Sequence, residues 1–136
     1  MTAVTTDQNR LKKKPDIVSR PVKAATKIPG GVLVNVGSDG YAKNAEDEAS
    51  VLESGLVSIE MADNTSGENG DIRVLCERKN QHLFAFSGTA SNTDVGKTVY
   101  VADNNTVKIS TTHSVKAGKI TGIESATEVW VDIEEV

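Results

Sequence analysis

The sequence predicts a mainly β fold, a small β-sandwich or β-barrel of short antiparallel strands with an extended N-terminal arm. Three observations carry that expectation. Short apolar runs recur along the chain with Gly, Asn and Asp turn signals between them. The last run sets Val129, Val131 and Ile133 against Trp130, Asp132 and Glu134, the period-2 pattern of a half-buried strand. Aromatic residues make up only 4% of the chain, so its core rests on aliphatic side chains, and Val and Ile favour pleated surfaces. A length of 136 residues suits one domain.

In chain order, residues 1–28 read as an extended basic arm and residues 29–136 as the β domain. Pro15, Pro21 and Pro29 rule out a long helix in the arm and bias the residues before them towards extended backbone. Leu11, Ile17, Val18, Val22 and Ile28 are too few for a core but suffice to anchor an arm on a partner; a tail that never orders is the alternative.

Past Pro29, Gly30-Gly31 punctuates and Val32–Val36 reads as a strand. Gly37-Ser-Asp-Gly40 marks a tight turn, and Tyr41–Lys43 returns as a short strand. Residues 45–54 carry Ala45, Ala49 and Leu52 at helical spacing, which fits one short helix or an acidic loop. Leu56–Met61, Ile72–Glu77 and Leu83–Phe86 read as strands around polar turns. Thr98–Val101 and Val107–Ser110 form a hairpin across Asp103-Asn-Asn105, and Lys119–Ile123 and Glu128–Ile133 complete the series.

A weak internal echo runs through these strands. Gly31 to Tyr41 parallels Gly96 to Val107, each a strand, a tight turn and a second strand. Ser54–Ile59 parallels Ala117–Gly122, each followed by a loop and a β-rich segment. The pattern suggests two related β-units packed together.

Charge divides the chain. Residues 1–28 hold seven basic and two acidic residues, or +5, and the remainder holds eight basic and seventeen acidic, or −9, which sum to the net −4. A basic arm on an acidic body bears on association rather than on fold. Cys76 is the only cysteine, so no intrachain disulfide forms, and its apolar surroundings suit an inert core thiol in a protein made in a reducing cytoplasm. No run approaches a membrane span, and no apolar segment follows the N-terminal charges as in a secretory signal.

No constellation of catalytic residues emerges, so no enzymatic activity, cofactor, metal or small-molecule substrate is expected. Ser91-Asn-Thr-Asp-Val-Gly96-Lys97-Thr98 matches a phosphate-binding loop except at its first glycine, but it runs into a strand where that motif needs a helix N-terminus. His82 and His113 lack ligand-like neighbours, and Glu46-Asp-Glu48 lacks the spacing and glycine of a calcium loop.

Three segments resemble a family of phage structural proteins, the capsid cement (decoration) proteins usually encoded beside the major capsid protein. They are Ile28-Pro-Gly-Gly-Val-Leu-Val with its hairpin ending at Tyr41-Ala, the hairpin from Val95-Gly-Lys-Thr-Val-Tyr-Val to Thr112, and Ala117–Ile123 with Val129–Ile133. Together they span most of residues 28–134. Residues 64–70 and 78–86 depart from the family's pattern, and the basic arm lies outside it.

The resemblance implies a structural virion protein that binds the outer surface of an assembled capsid and stabilises it, often as a homotrimer. The major capsid protein is then the partner. Capsid contact is expected from Arg10, Lys12, Lys13, Lys14, Arg20 and Lys23 by charge, and from Ile17, Val18 and Val22 as apolar anchors. Trp130 is a candidate oligomer-interface anchor, or else it caps the second side of the core. A virion fibre-base or receptor-binding domain is the first alternative. A small nucleic-acid-binding protein acting through the arm is a weaker one, since the arm has no aromatics for stacking and the body is acidic.

Overall fold

Turn residues cut the chain into short strands, and pairing then sorts those strands into two units. The computed structural model describes residues 3–12 and 16–133. Its strands are β1 (Ile17–Pro21), β2 (Thr26–Ile28), β3 (Leu33–Gly37), β4 (Ala42–Asn44), β5 (Val51–Ser58) and β6 (Ala62–Asn64), followed by β7 (Arg73–Glu77), β8 (Gln81–Phe86), β9 (Thr98–Val101), β10 (Thr106–Lys108), β11 (Lys116–Ser125) and β12 (Glu128–Asp132). The fold is mainly β, as expected, with a 3₁₀ turn at Asn92–Asp94. No helix among the described residues is long and apolar enough to cross a membrane.

The first unit is a five-stranded sheet in the order β1-β7-β5-β3-β4, and the second is a closed barrel in the order β10-β8-β12-β11-β9. A ribbon of β2 and β6 attaches to the first. The two orders superimpose strand for strand: β4-β3-β5-β7-β1 matches β10-β9-β11-β12-β8. The internal echo is therefore a repeated topology. Even the seam recurs. β10 closes the barrel against β8 in parallel, through Thr106–Ala85 and Val107–Phe86. In the first unit a single parallel bridge joins Val22 to Ala42, with Lys23 N–H donating to Ala42 O at 3.0 Å.

The long strand of each unit is bent at a glycine, Gly55 in β5 (φ 72°) and Gly118 in β11 (φ 154°). Register slips beside both, between Val34 and Val36 in one unit and between Lys116 and Gly118 in the other. At Gly118 a Cβ would stand 2.3 Å from Asp132 O, so only glycine allows β12 to approach this closely.

Adjacent residues of a strand face opposite sides, and the first sheet uses both. Val34, Val36, Leu56, Val74 and Cys76 point into its own core with Val22, Ile28, Ala42 and Ala62. Leu33, Ala45 and Val57 point the other way and join the barrel core of Phe84, Phe86, Val99, Val101, Val107, Ile120, Val129 and Val131. This two-faced burial explains why Val32–Val34 is a continuous apolar run rather than an alternating one. Polar links reinforce the junction. Leu33 N–H donates to Asn104 O at 2.8 Å, and Asp47 accepts from Lys108 Nζ at 2.6 Å and from the N–H groups of Thr112 and His113.

One expectation needs correction, and one pair of readings is decided. The boundary between arm and body falls ahead of β1, not at residue 28. β1 pairs along its length with β7, and Val22 and Ile28 are fully buried at 0% exposure. The prolines allow this because β1 is an edge strand, where Pro21 lacks only an N–H that no ladder needs. Residues 45–54 form no helix. Residues 45–50 take the other reading, an irregular acidic loop held by Asp47 with Ser50 at φ 62°, and 51–54 belong to β5, which starts at Val51.

Candidate interaction surface

The groups with chemical potential are spent inside the fold. The Cys76 thiol is buried, and that burial pushes its pKa up to about 12, so it is no nucleophile. His82 Nε2 lies 3.1 Å from Lys79 O and 3.5 Å from Glu77, while His113 Nδ1 lies 3.2 Å from Asp47 in the junction between the units. No group of His, Cys, Asp and Glu among the described residues is arranged to hold a metal ion. In the near-match to a phosphate loop, Asp94 accepts from Ser91 N–H and from Lys97 Nζ at 2.9 Å, and β9 follows at once. Lys97 thus points at a carboxylate, and the Lys97 side chain beside it holds the Asp94 carboxyl below its ordinary pKa.

The nine residues expected to contact a partner fall into four groups. Arg10 and Lys12 stand exposed on the segment 3–12, whose residues are all exposed. Lys13 and Lys14 lie outside the described residues. Ile17 is half exposed at the start of β1. The rest belong to the body: Val22 is in the core and Val18 packs against it, which corrects these two as anchors on a free arm. Arg20 holds Glu53 with two hydrogen bonds of 2.7 and 3.1 Å, which lowers the Glu53 pKa. Lys23 pairs with Asp39 at 2.6 Å.

Trp130 lies on the outer face of β12 while Val129 and Val131 beside it are fully buried. It is 36% exposed and donates its indole N–H to Glu124 at 3.0 Å, so it does not cap the core. It is one end of a larger feature. Leu83 is its register partner on β8 and shares its face. Leu83, Ile17 and Ile59 line a cleft of about 430 Å³ between the two units, floored by Val57 and Phe84. Ile59 N–H donates to Leu75 O at 2.9 Å, which adds exposed Leu75 to the same side. The result is an apolar strip of Ile59, Leu75, Ile17, Leu83 and Trp130 that crosses both units, bordered by the carboxylates of Glu77, which lines the cleft, and Glu124, which holds the Trp130 indole.

Ile59, Leu75 and Leu83 were not singled out from the sequence, yet a signal was there. Val74 and Cys76 fix one phase of β7, and Phe84 and Phe86 fix one phase of β8, so Leu75 and Leu83 fall on the outward phase where a polar residue belongs. Compared with models of protein families, with curated proteins and with solved structures, the chain has no significant match.

Proposed function

We propose that this chain is a capsid cement protein, which adheres to the outside of an assembled phage shell and stabilises it. The observation that carries the reading is an exposed basic segment joined to a body that carries an exposed apolar strip and an excess of carboxylates. An apolar strip that spans two units and includes a tryptophan is the surface of a binding protein. The resemblance of the Ile28, Val95 and Ala117 segments to decoration proteins supplies the partner, the major capsid protein, and the virion's outer surface as the place.

Arg10 and Lys12, with Lys13 and Lys14, supply steering towards an acidic shell, an attraction that weakens with salt. The decisive test is co-sedimentation of the purified chain with empty expanded capsids and, separately, with unassembled capsid subunits. Binding to shells alone, weakened by salt, is the expected result. Equal binding to free subunits, or binding to isolated tails and fibres in place of shells, overturns the reading and favours a fibre-base domain. Salt-sensitive retention of DNA on filters with no shell binding favours the nucleic-acid reading.

A further inference from the structure

We infer that Asn35 and Lys43 are the site of a self-formed isopeptide bond, an amide joining Lys43 Nζ to the Asn35 side-chain carbonyl across the β3–β4 hairpin, with Glu48 as the proton carrier. The starting point is a polar residue in a core position. Val34 and Val36 face the core of the first unit, so Asn35 takes the opposite phase of β3, the one Leu33 uses towards the barrel. There it is buried at 0% exposure. A buried amide is costly unless its polar groups are bonded, and only half of this one is. Its Nδ2 donates to Glu46 O at 2.9 Å and to Glu48 Oε1 at 3.3 Å, while its Oδ1 accepts no hydrogen bond among the described residues.

Lys43 is the register partner of Asn35 on β4. Cross-strand partners share a face with their Cβ atoms about 5 Å apart, a gap that the lysine stem spans. The Lys43 ammonium donates to Glu48 Oε2, so one carboxylate holds the amine through one oxygen and the amide nitrogen through the other. That arrangement suits an amide exchange. Glu48 takes a proton from Lys43, and the freed lone pair on Nζ forms a bond to Asn35 Cγ. The bond from Cγ to Nδ2 then breaks. Lys43 gives up two protons in all, Glu48 passes both to Nδ2, ammonium leaves, and the carboxylate is regenerated. No oxidant or cofactor enters, and the hairpin supplies the proximity. Lys43 and Glu48 line a pocket open to solvent, through which ammonium departs; Lys23, the other lysine there, is held by Asp39. At rest the proton stays on Lys43, because the hydrogen bond to Glu48 raises the lysine pKa, so the bond forms slowly in the folded chain. Once formed, it ties β4, at the edge of its sheet, to β3.

Intact-mass spectrometry and a tryptic map of the full chain, fresh and after a week of warm incubation, test this. The expected mass is one ammonia below that of the sequence. Trypsin should no longer cut after Lys43, so residues 28–73 should appear as one peptide lacking ammonia in place of separate peptides 28–43 and 44–73. Lys108 is the internal control. It pairs with the Asp47 carboxylate but faces Tyr100 across its hairpin, so cleavage after it should be ordinary. Lys43→Arg keeps a positive charge beside Glu48 without a nucleophilic amine, and Glu48→Gln removes the proton carrier; each is expected to keep the full mass. If either variant fails to fold by circular dichroism, the map of the unsubstituted chain decides. A chain that still has its full mass and is cut after Lys43 at the end of the week overturns the inference. So does loss of ammonia with Lys43 still cut, which points to ring closure at Asn69-Gly70, and so does a cross-link that survives Glu48→Gln.

Discussion

Truncating Ile28 to alanine tests where the body begins. Ile28 ends β2 at 0% exposure, among Val22, Val34, Leu56 and Ala62. The substitution removes three carbon groups, worth about 0.8 kcal/mol each in burial, or roughly 2.4 kcal/mol. The cavity left behind adds to this, so the full cost should be about 3–4 kcal/mol, within the range measured for such changes. For a chain of this size that corresponds to a fall in Tm of about 10 °C. Leu11→Ala is the control. It changes an almost fully exposed side chain and should stay within about 0.5 kcal/mol. Urea titrations followed by circular dichroism measure both, with the slope m checked for constancy so that the midpoint shift reports stability. An Ile28→Ala midpoint matching that of the unsubstituted chain would refute the reasoning and return residues 16–28 to the arm.

Other outcomes follow from individual contacts. Deleting residues 1–12 should leave the melting transition in place, whereas deleting residues 1–28 removes β1 and β2 and should abolish cooperative unfolding in a calorimeter. The Lys108 ammonium and the Thr112 and His113 N–H groups draw the Asp47 carboxyl down to about 2. A carboxyl depressed in the folded state stabilises above its unfolded pKa, and that share is lost as the pH falls from about 4 towards 2; Asp47→Asn should flatten the acid limb of a Tm-against-pH curve. Cys76 should resist thiol reagents in the native chain and react at the rate of global unfolding, so a fast native reaction contradicts its burial. Gly118→Ala, which sets a Cβ against Asp132 O, should lower the Tm more than Gly122→Ala, whose nearest neighbour, a Trp130 side-chain atom, is at 3.7 Å.

Most strands past residue 29 were legible because turn chemistry and apolar runs are local signals. Gly37–Gly40 and Asp103–Asn105 announce their hairpins, and the period-2 run at Val129–Ile133 fixes which side of β12 is buried. β1, β2 and β6 were missed for a shared reason. They are short, poor in apolar residues and stabilised by partners far along the chain, as when Val18 meets Cys76. Prolines in a basic stretch suggested a free arm because a proline's cost depends on whether the strand lies at an edge, and that is a property of the assembled sheet. Of the two readings at 45–54, the loop at 45–50 could not be chosen from the sequence, because Asp47 there binds Lys108 and the Thr112 and His113 N–H groups, partners far along the chain. The strip was the least legible feature. Leu75 and Leu83 look like core residues until their strand phase is fixed, and their convergence on Ile17 depends on how two units meet.

The way the N-terminal segment joins the body has a mechanical consequence. A pull on residues 3–12 enters the body at β1, whose five residues from Ile17 to Pro21 are in register with Glu77 to Arg73. Along the strand axis the load is shared by the whole ladder at once, as in shear, and Asp16 spreads it further through Lys79 Nζ at 2.9 Å and Arg78 N–H at 2.8 Å. Directed away from the sheet, the same force opens the pairs one after another from Ile17. The attachment is therefore stiff in one direction and yielding in the other, and a tether that runs along the surface in line with β1 meets the stiff one.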